Sequence, residues 1–86
     1  MSKLIFTENA WNEYLYWQTQ DKKTQKKINS LLKDIQRNPI GGIGKPEPLK
    51  HEVELWSRRI DNYNRLVYKL NAGGIEIVQC KGHYDE

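Results

Sequence analysis

From Ile40 to Pro48 the chain reads Ile-Gly-Gly-Ile-Gly-Lys-Pro-Glu-Pro. Three glycines and two prolines in so short a run suit neither a helix nor the middle of a sheet. A long ordered loop is expected there, and loops of that kind often carry function. It also divides the chain into two stretches of different pattern.

Before the loop the pattern is mainly helical. Residues 3–6, Lys-Leu-Ile-Phe, read as a short strand. Thr7 can cap a helix by accepting from an exposed backbone N–H, with Glu8 well placed in the first turn. Trp11, Tyr14, Leu15 and Gln18 follow at helical spacing, and Tyr16 and Trp17 widen the apolar face. Residues 18–20 are expected to turn. A second helix is expected over 21–37, with Asp21 as its cap. Ile28, Leu31, Leu32 and Ile35 fall at i, i+3, i+4 and i+7, a single apolar stripe. Asn38-Pro39 ends it, because a residue before proline is driven from helical angles. So short a connection makes the two helices an antiparallel hairpin.

After the loop, residues 55–60, 65–71 and 75–81 read as strands, with turns at 61–64 and 72–74. Short connections make them an antiparallel meander. The expected fold is α+β, in the order βααβββ. A two-helix hairpin packs on one face of a four-stranded, mainly antiparallel sheet. At 86 residues the chain is expected to form one domain, spanning 1–86.

Cys80 is the sole cysteine, so no disulfide can form within the chain, a usage that suits a reducing cytoplasm. No apolar run approaches the roughly 18 residues of a membrane span. The opening MSKLIFTENAW has no apolar block or small-residue cleavage site of a signal peptide. A cytoplasmic location, with no membrane association, is expected. Three Trp, five Tyr and one Phe compensate for a modest aliphatic content, since each aromatic buries a large area. Burying such surface against a second copy would help a small domain without staples, and Tyr16 and Trp17 are the candidate homodimer contacts.

The net charge is +3, but it is unevenly spread. The second helix sets Lys22, Lys23, Lys26, Lys27, Lys33 and Arg37 against Asp21 and Asp34, a net +4. These cations lie off the apolar stripe. They form either a solvated surface or a face that contacts phosphates.

Alternation in 55–60 puts Trp56, Arg58 and Ile60 on one face and Leu55, Ser57 and Arg59 on the other. One face must be core, so at least one arginine borders buried surface. A meander can bring Arg59, Arg65 and His83 onto one sheet face, with Glu47 and Lys50 of the loop at its rim. RNA cleavage without a metal needs a base for the 2′-hydroxyl, an acid for the departing 5′-oxygen and cations for the phosphorane. Glu47 can be that base and His83 that acid. Arg65, Arg59 and Lys50 can form the clamp, with Tyr84 stacking on a base or orienting the phosphate. By spacing alone, Glu47 reads more simply as a solvated loop carboxylate and His83 as a bystander. Cys80 reads as a core residue of an inner strand. Cys80-x-x-His83 lacks the other members of a zinc set, so no metal is expected. Gly-Gly-Ile-Gly lacks the Lys-Ser/Thr ending of a phosphate loop, and no cofactor is expected.

The stretches WNEYLYWQTQDKKTQKKIN, GKPEPLKH, WSRRI and RLVY and the closing GHY resemble the YoeB group of toxins, within the wider RelE-like superfamily. The resemblance covers about residues 3 to 84. It implies the same βααβββ fold and a ribosome-dependent endonuclease that cuts mRNA in the ribosomal A site and stops translation. It implies a partner resembling the YefM antitoxin, whose C-terminal segment blocks the site. The family's general base falls on Glu47, its general acid on His83 and its phosphate-stabilising arginine on Arg65. Lys50, Arg59 and Tyr84 match further active-site positions. The basic helix is then the surface expected to dock on the ribosome. Between His51 and Trp56 the chain is one residue shorter than a familiar member, and Asp85-Glu86 extends past the usual final tyrosine. Two alternatives remain at this point. A ParE-type gyrase inhibitor would lack the Glu/Arg/His set, and a bland ribosome-associated basic domain would be harmless when expressed alone.

Overall fold

The structure, a computed structural model, describes residues 2–50 and 54–83. Two helices come first after a short strand. In α1 (Glu8–Gln20), Thr7 caps the N-terminus by accepting from the Ala10 N–H at 3.1 Å. One residue, Asp21, serves both helix ends that meet there. Its backbone N–H donates to the Trp17 carbonyl, closing α1. Its carboxylate accepts from the N–H groups of Lys23 and Thr24, opening α2 (Lys22–Arg37). The turn expected at 18–20 is therefore absent, and α1 runs on to Gln20. Nothing in Gln-Thr-Gln breaks a helix, so the cap alone sets the boundary.

The sheet holds β1 (Leu4–Phe6), β2 (Glu47–Pro48), β3 (Leu55–Arg59), β4 (Arg65–Asn71) and β5 (Gly74–Gln79) in the order β1-β5-β4-β3-β2. The pairing of β1 with β5 is parallel, and the other three pairings are antiparallel. The α+β architecture is the expected one, with one addition. The Gly/Pro loop contributes a fifth, two-residue strand, β2, in which Glu47 faces Ser57. Proline masked it in the sequence, yet an edge strand tolerates a missing N–H.

The helix-facing side of the sheet and the two helices share one core. Ile28, Leu31, Leu32 and Ile35 of α2 pack there with Leu66, Tyr68, Ile75, Ile77 and Cys80. Each such side chain contributes about 1.5–3 kcal/mol by leaving water. In α1 the buried residues are Ala10 and Trp17, whereas Trp11 and Leu15, expected to lead the apolar face, are exposed. Trp11 instead stacks beside Tyr14 and meets Phe6 edge-on at the surface. Trp17 is fixed by its indole N–H, which donates to the Cys80 carbonyl at 2.8 Å. That placement corrects the proposed dimer contact. Trp17 belongs to the core, and of the pair only Tyr16 is exposed. Among the described residues no helix is long and apolar enough to cross a membrane.

Candidate active site

The face of β3 that carries Leu55, Ser57 and Arg59 looks away from the helices. Arg59 lies directly opposite Arg65 of β4, and Ser57 lies opposite both Glu47 and Val67. Register alone therefore gathers Glu47, Ser57, Arg59 and Arg65 on one surface. The Arg65 guanidinium donates to the nearly buried Ser57 hydroxyl at 2.8 Å and stands 4.0 Å from the Glu47 carboxylate. Arg59 donates to Asn62 at 2.6 Å. Two like charges set directly across a ladder repel each other unless solvent or an anion lies between them.

The turn that carries His83 is tied to this face through a β-bulge. Val67 faces Gln79 while Tyr68 faces Ile77, so Val78 is the extra residue. Plain alternation would send Gln79 into the core after Ile75 and Ile77, but the bulge re-aims it to the opposite face. There the Gln79 amide donates to the carbonyls of Gly82 and His83, each at 3.0 Å. Gly82 sits at φ +83°. Its N–H donates to the Asn64 side chain at 2.8 Å, and its carbonyl accepts from the Arg65 N–H at 3.0 Å. The residue before His83 is thus bonded to the backbone of the arginine that meets Glu47.

Glu47, Arg59 and Arg65 therefore share one face, and the turn that carries His83 is hydrogen-bonded to the Arg65 backbone through Gly82. Lys50 is exposed in the turn that follows β2. Tyr84 lies outside the described residues, as do His51 and the Asp85-Glu86 tail. The six cations of α2 (Lys22, Lys23, Lys26, Lys27, Lys33 and Arg37) are all exposed. Lys23 and Lys27 border a cleft of about 430 Å³ against Ile60 and Asp61, next to Arg59, so the basic helix surface continues toward the site. Among the described residues no three His, Cys, Asp or Glu side chains are grouped to hold a metal.

Sequence reasoning missed Ser57 and Gln79, and it did not say which of Arg58 and Arg59 was buried. Arg58 is fully buried, on the helix-facing side. Its alternation with Trp56 and Ile60 was the signal available. Buried Cys80 follows β5, and burial, with the Glu13 charge second, pushes its thiol up to about 12.

A family model described as the YoeB-like toxin of bacterial type II toxin–antitoxin systems matches residues 6–84. Toxin YoeB of Escherichia coli (strain K12) is 52% identical over 83 residues, covering 95% of this chain and 99% of that protein. The YoeB dimer from Staphylococcus aureus superposes with a TM-score of 0.89 at 46% identity, covering 96% of this chain and 98% of that one. The YoeB–YefM complex from the same organism gives 0.86 at 45% identity, covering 98% and 99%. The chain belongs to the YoeB-like toxin family of bacterial type II toxin–antitoxin systems.

Proposed function

We propose that this toxin is a ribosome-dependent endoribonuclease that cleaves mRNA in the A site by metal-independent acid–base chemistry, with Glu47, Arg65 and His83 at its centre. The observation that carries the reading is a carboxylate and two arginines in opposed register on the sheet face away from the helices, with the turn that carries His83 hydrogen-bonded to Arg65 and Gln79. A phosphodiester is the ligand that answers that charge pattern, since its anionic oxygens can bridge the Arg59–Arg65 pair while Glu47 stays beside Arg65.

In the proposed reaction the Glu47 carboxylate takes the 2′-hydroxyl proton as the 2′-oxygen attacks phosphorus. Arg65, Arg59 and Lys50 stabilise the dianionic phosphorane. The bond to the 5′-oxygen breaks, and His83, as imidazolium, protonates that oxygen. The products are a 2′,3′-cyclic phosphate and a 5′-hydroxyl. Tyr84 is assigned to stacking or phosphate orientation. The site is open, so the ribosome supplies much of the alignment of the 2′-oxygen with phosphorus. The basic face of α2 docks on ribosomal RNA. The whole reaction is cytoplasmic.

The relatives also bear on partners. A structure of a YoeB–YefM complex and one of a YoeB dimer support a YefM-like antitoxin and a homodimer for this chain. An acidic, disordered antitoxin segment that folds across the cationic face would neutralise it, with charge pairing offsetting the ordering cost.

Mapping mRNA ends on programmed ribosomes tests the reading. Wild type should truncate mRNA within the A-site codon and act far more slowly on naked RNA. His83→Gln should lose about 10²–10⁴-fold in rate, and Glu47→Ala and Arg65→Ala should also lose cleavage while folding normally. Intact message with wild type, or full-rate cleavage by these variants, would refute it.

A further inference from the structure

Arg58 lies between Ser57 and Arg59 on β3 but points the other way. It is fully buried, and all five of its N–H donors are used. Its Nε donates to the Tyr68 hydroxyl at 3.1 Å. Nη1 bonds the Asp34 carboxylate of α2 and the Ile43 carbonyl, the latter at 3.1 Å. Nη2 donates to the carbonyls of Asn38 and Gly41, each at 2.6 Å. Three of the five acceptors are thus backbone carbonyls of the segment that runs from the α2 C-cap, Asn38, into the Gly/Pro loop. Tyr68 adds a fourth contact to that segment, donating from its hydroxyl to the Pro39 carbonyl at 2.6 Å. Asp34 closes the ring by accepting from the Ile43 N–H at 3.1 Å. Gly42, at φ +103°, crosses so close to Asp34 that a Cβ there would collide with the carboxylate.

This fork determines where the loop leaves the core. The Gly44 carbonyl accepts from the Arg59 N–H at 2.7 Å, and three residues later Glu47 pairs with Ser57. A buried ion pair is a poor source of net stability, because desolvation consumes most of its attraction. Five aligned bonds do supply geometry: a planar guanidinium fits its acceptors in one arrangement only. The neighbours of Arg58 in sequence, Ser57 and Arg59, face the site. One strand therefore holds the carboxylate's loop with one face and the carboxylate's phosphate-binding partners with the other.

We infer that Arg58, with Asp34, is a positioning residue for catalysis: it fixes the 38–44 loop and thereby the placement of Glu47 against Arg65. The catalytic part of this rests on the ribonuclease reading above. Lysine keeps the charge of Arg58 but cannot reach the same acceptors, so Arg58→Lys is the first test. Exchange of the Arg59 amide proton, which reports the bond to Gly44, should rise at least about tenfold under conditions where the protein stays folded. Single-turnover cleavage on programmed ribosomes should fall about a hundredfold, the cost of a displacement near 1 Å, while ribosome affinity stays within about twofold. In a Glu47→Gln background the same substitution should add less than about twofold, because the base it positions is already gone. Wild-type cleavage by Arg58→Lys at a lower melting temperature would overturn the inference, as would penalties that multiply with Glu47→Gln. Should Arg58→Lys not fold, Asp34→Asn is read the same way, with a loss nearer tenfold; unchanged exchange and rate would overturn it. A wild type that leaves mRNA intact would sink the ribonuclease reading instead, and the Arg59 exchange would still decide whether Arg58 fixes the loop.

Discussion

Gly82 allows a quantitative test of how His83 is placed. The residue is at φ +83°, and a Cβ built on it meets nothing within 4 Å among the described residues. Gly82→Ala therefore tests backbone strain, with no clash against the described residues. Left-handed geometry costs an alanine about 1–2 kcal/mol. Four hydrogen bonds oppose that cost: Gly82 N–H to Asn64, Arg65 N–H to Gly82 carbonyl, and Gln79 amide to the Gly82 and His83 carbonyls. At about 1 kcal/mol each they total near 4 kcal/mol. The turn should then stay closed in Gly82→Ala, with a margin of about 2–3 kcal/mol. Amide hydrogen exchange measures that margin directly. Protection of the Arg65 N–H should fall by roughly 5–30-fold, since about 1.4 kcal/mol is one factor of ten. Gly82→Asn should lose less, because asparagine tolerates the left-handed region. Adding Gln79→Ala removes two of the four bonds and should bring the margin to about 0–1 kcal/mol, so the turn opens for a large share of the time. Unchanged protection in Gly82→Ala, or an asparagine variant as exposed as the alanine one, would refute the reasoning.

Three further outcomes follow from charge and burial. The Arg58 hydrogen bond holds the Asp34 carboxyl below its ordinary 3.8, with the Ile43 N–H assisting against desolvation. A depressed folded value means that this stabilisation is complete above about pH 4 and lost as pH falls through the folded pKa. Urea midpoints from pH 5 to 2 should therefore fall less steeply for Asp34→Asn; parallel curves would exclude the linkage. With its thiol pushed up to about 12, Cys80 should react with a thiol reagent at pH 8 only as fast as the whole protein unfolds, and rapid labelling of the native state would contradict this. Reversing Lys22, Lys23, Lys26 and Lys27 to glutamate should weaken ribosome binding and flatten its log–log salt dependence by about 0.7–0.9 per lost phosphate contact. An unaltered slope would remove the docking role of α2.

What the sequence revealed depended on how local the determinant was. The apolar stripe of α2, the Thr7 and Asp21 caps and the span of β4 each lie within a few residues, and periodicity reads them. The motif around Glu47 pointed to a site, but β2 did not announce itself. Its only ladder runs to residues some ten positions later, and prolines on either side of Glu47 argue locally against a strand. The bulge at Val78 is a mismatch between two strands, so regular alternation over 75–81 assigns Gln79 to the wrong face. Trp11 and Trp17 were equally apolar letters on one helix. Only the tertiary partner at the Cys80 carbonyl decides which is covered. Arg58 was legible as an arginine beside the core, but not its acceptors, three of which are backbone carbonyls between Asn38 and Ile43 with no side-chain pattern to read.

The parallel pairing of Leu4–Phe6 with Ile75–Ile77 joins the earliest strand to the latest. During synthesis, Leu4–Phe6 must wait without its neighbour until nearly all of the chain has been translated, and the Ala10 side of α1 waits with it for Cys80. A contact spanning so much sequence closes late, because its loop entropy must be overcome first. The sheet therefore cannot close before Ile75–Ile77 has been made, and a chain cut short of that point lacks both the closing strand and the histidine turn behind it. Translation arrested before Ile75 leaves Leu4–Phe6 without the strand that anchors it to the sheet.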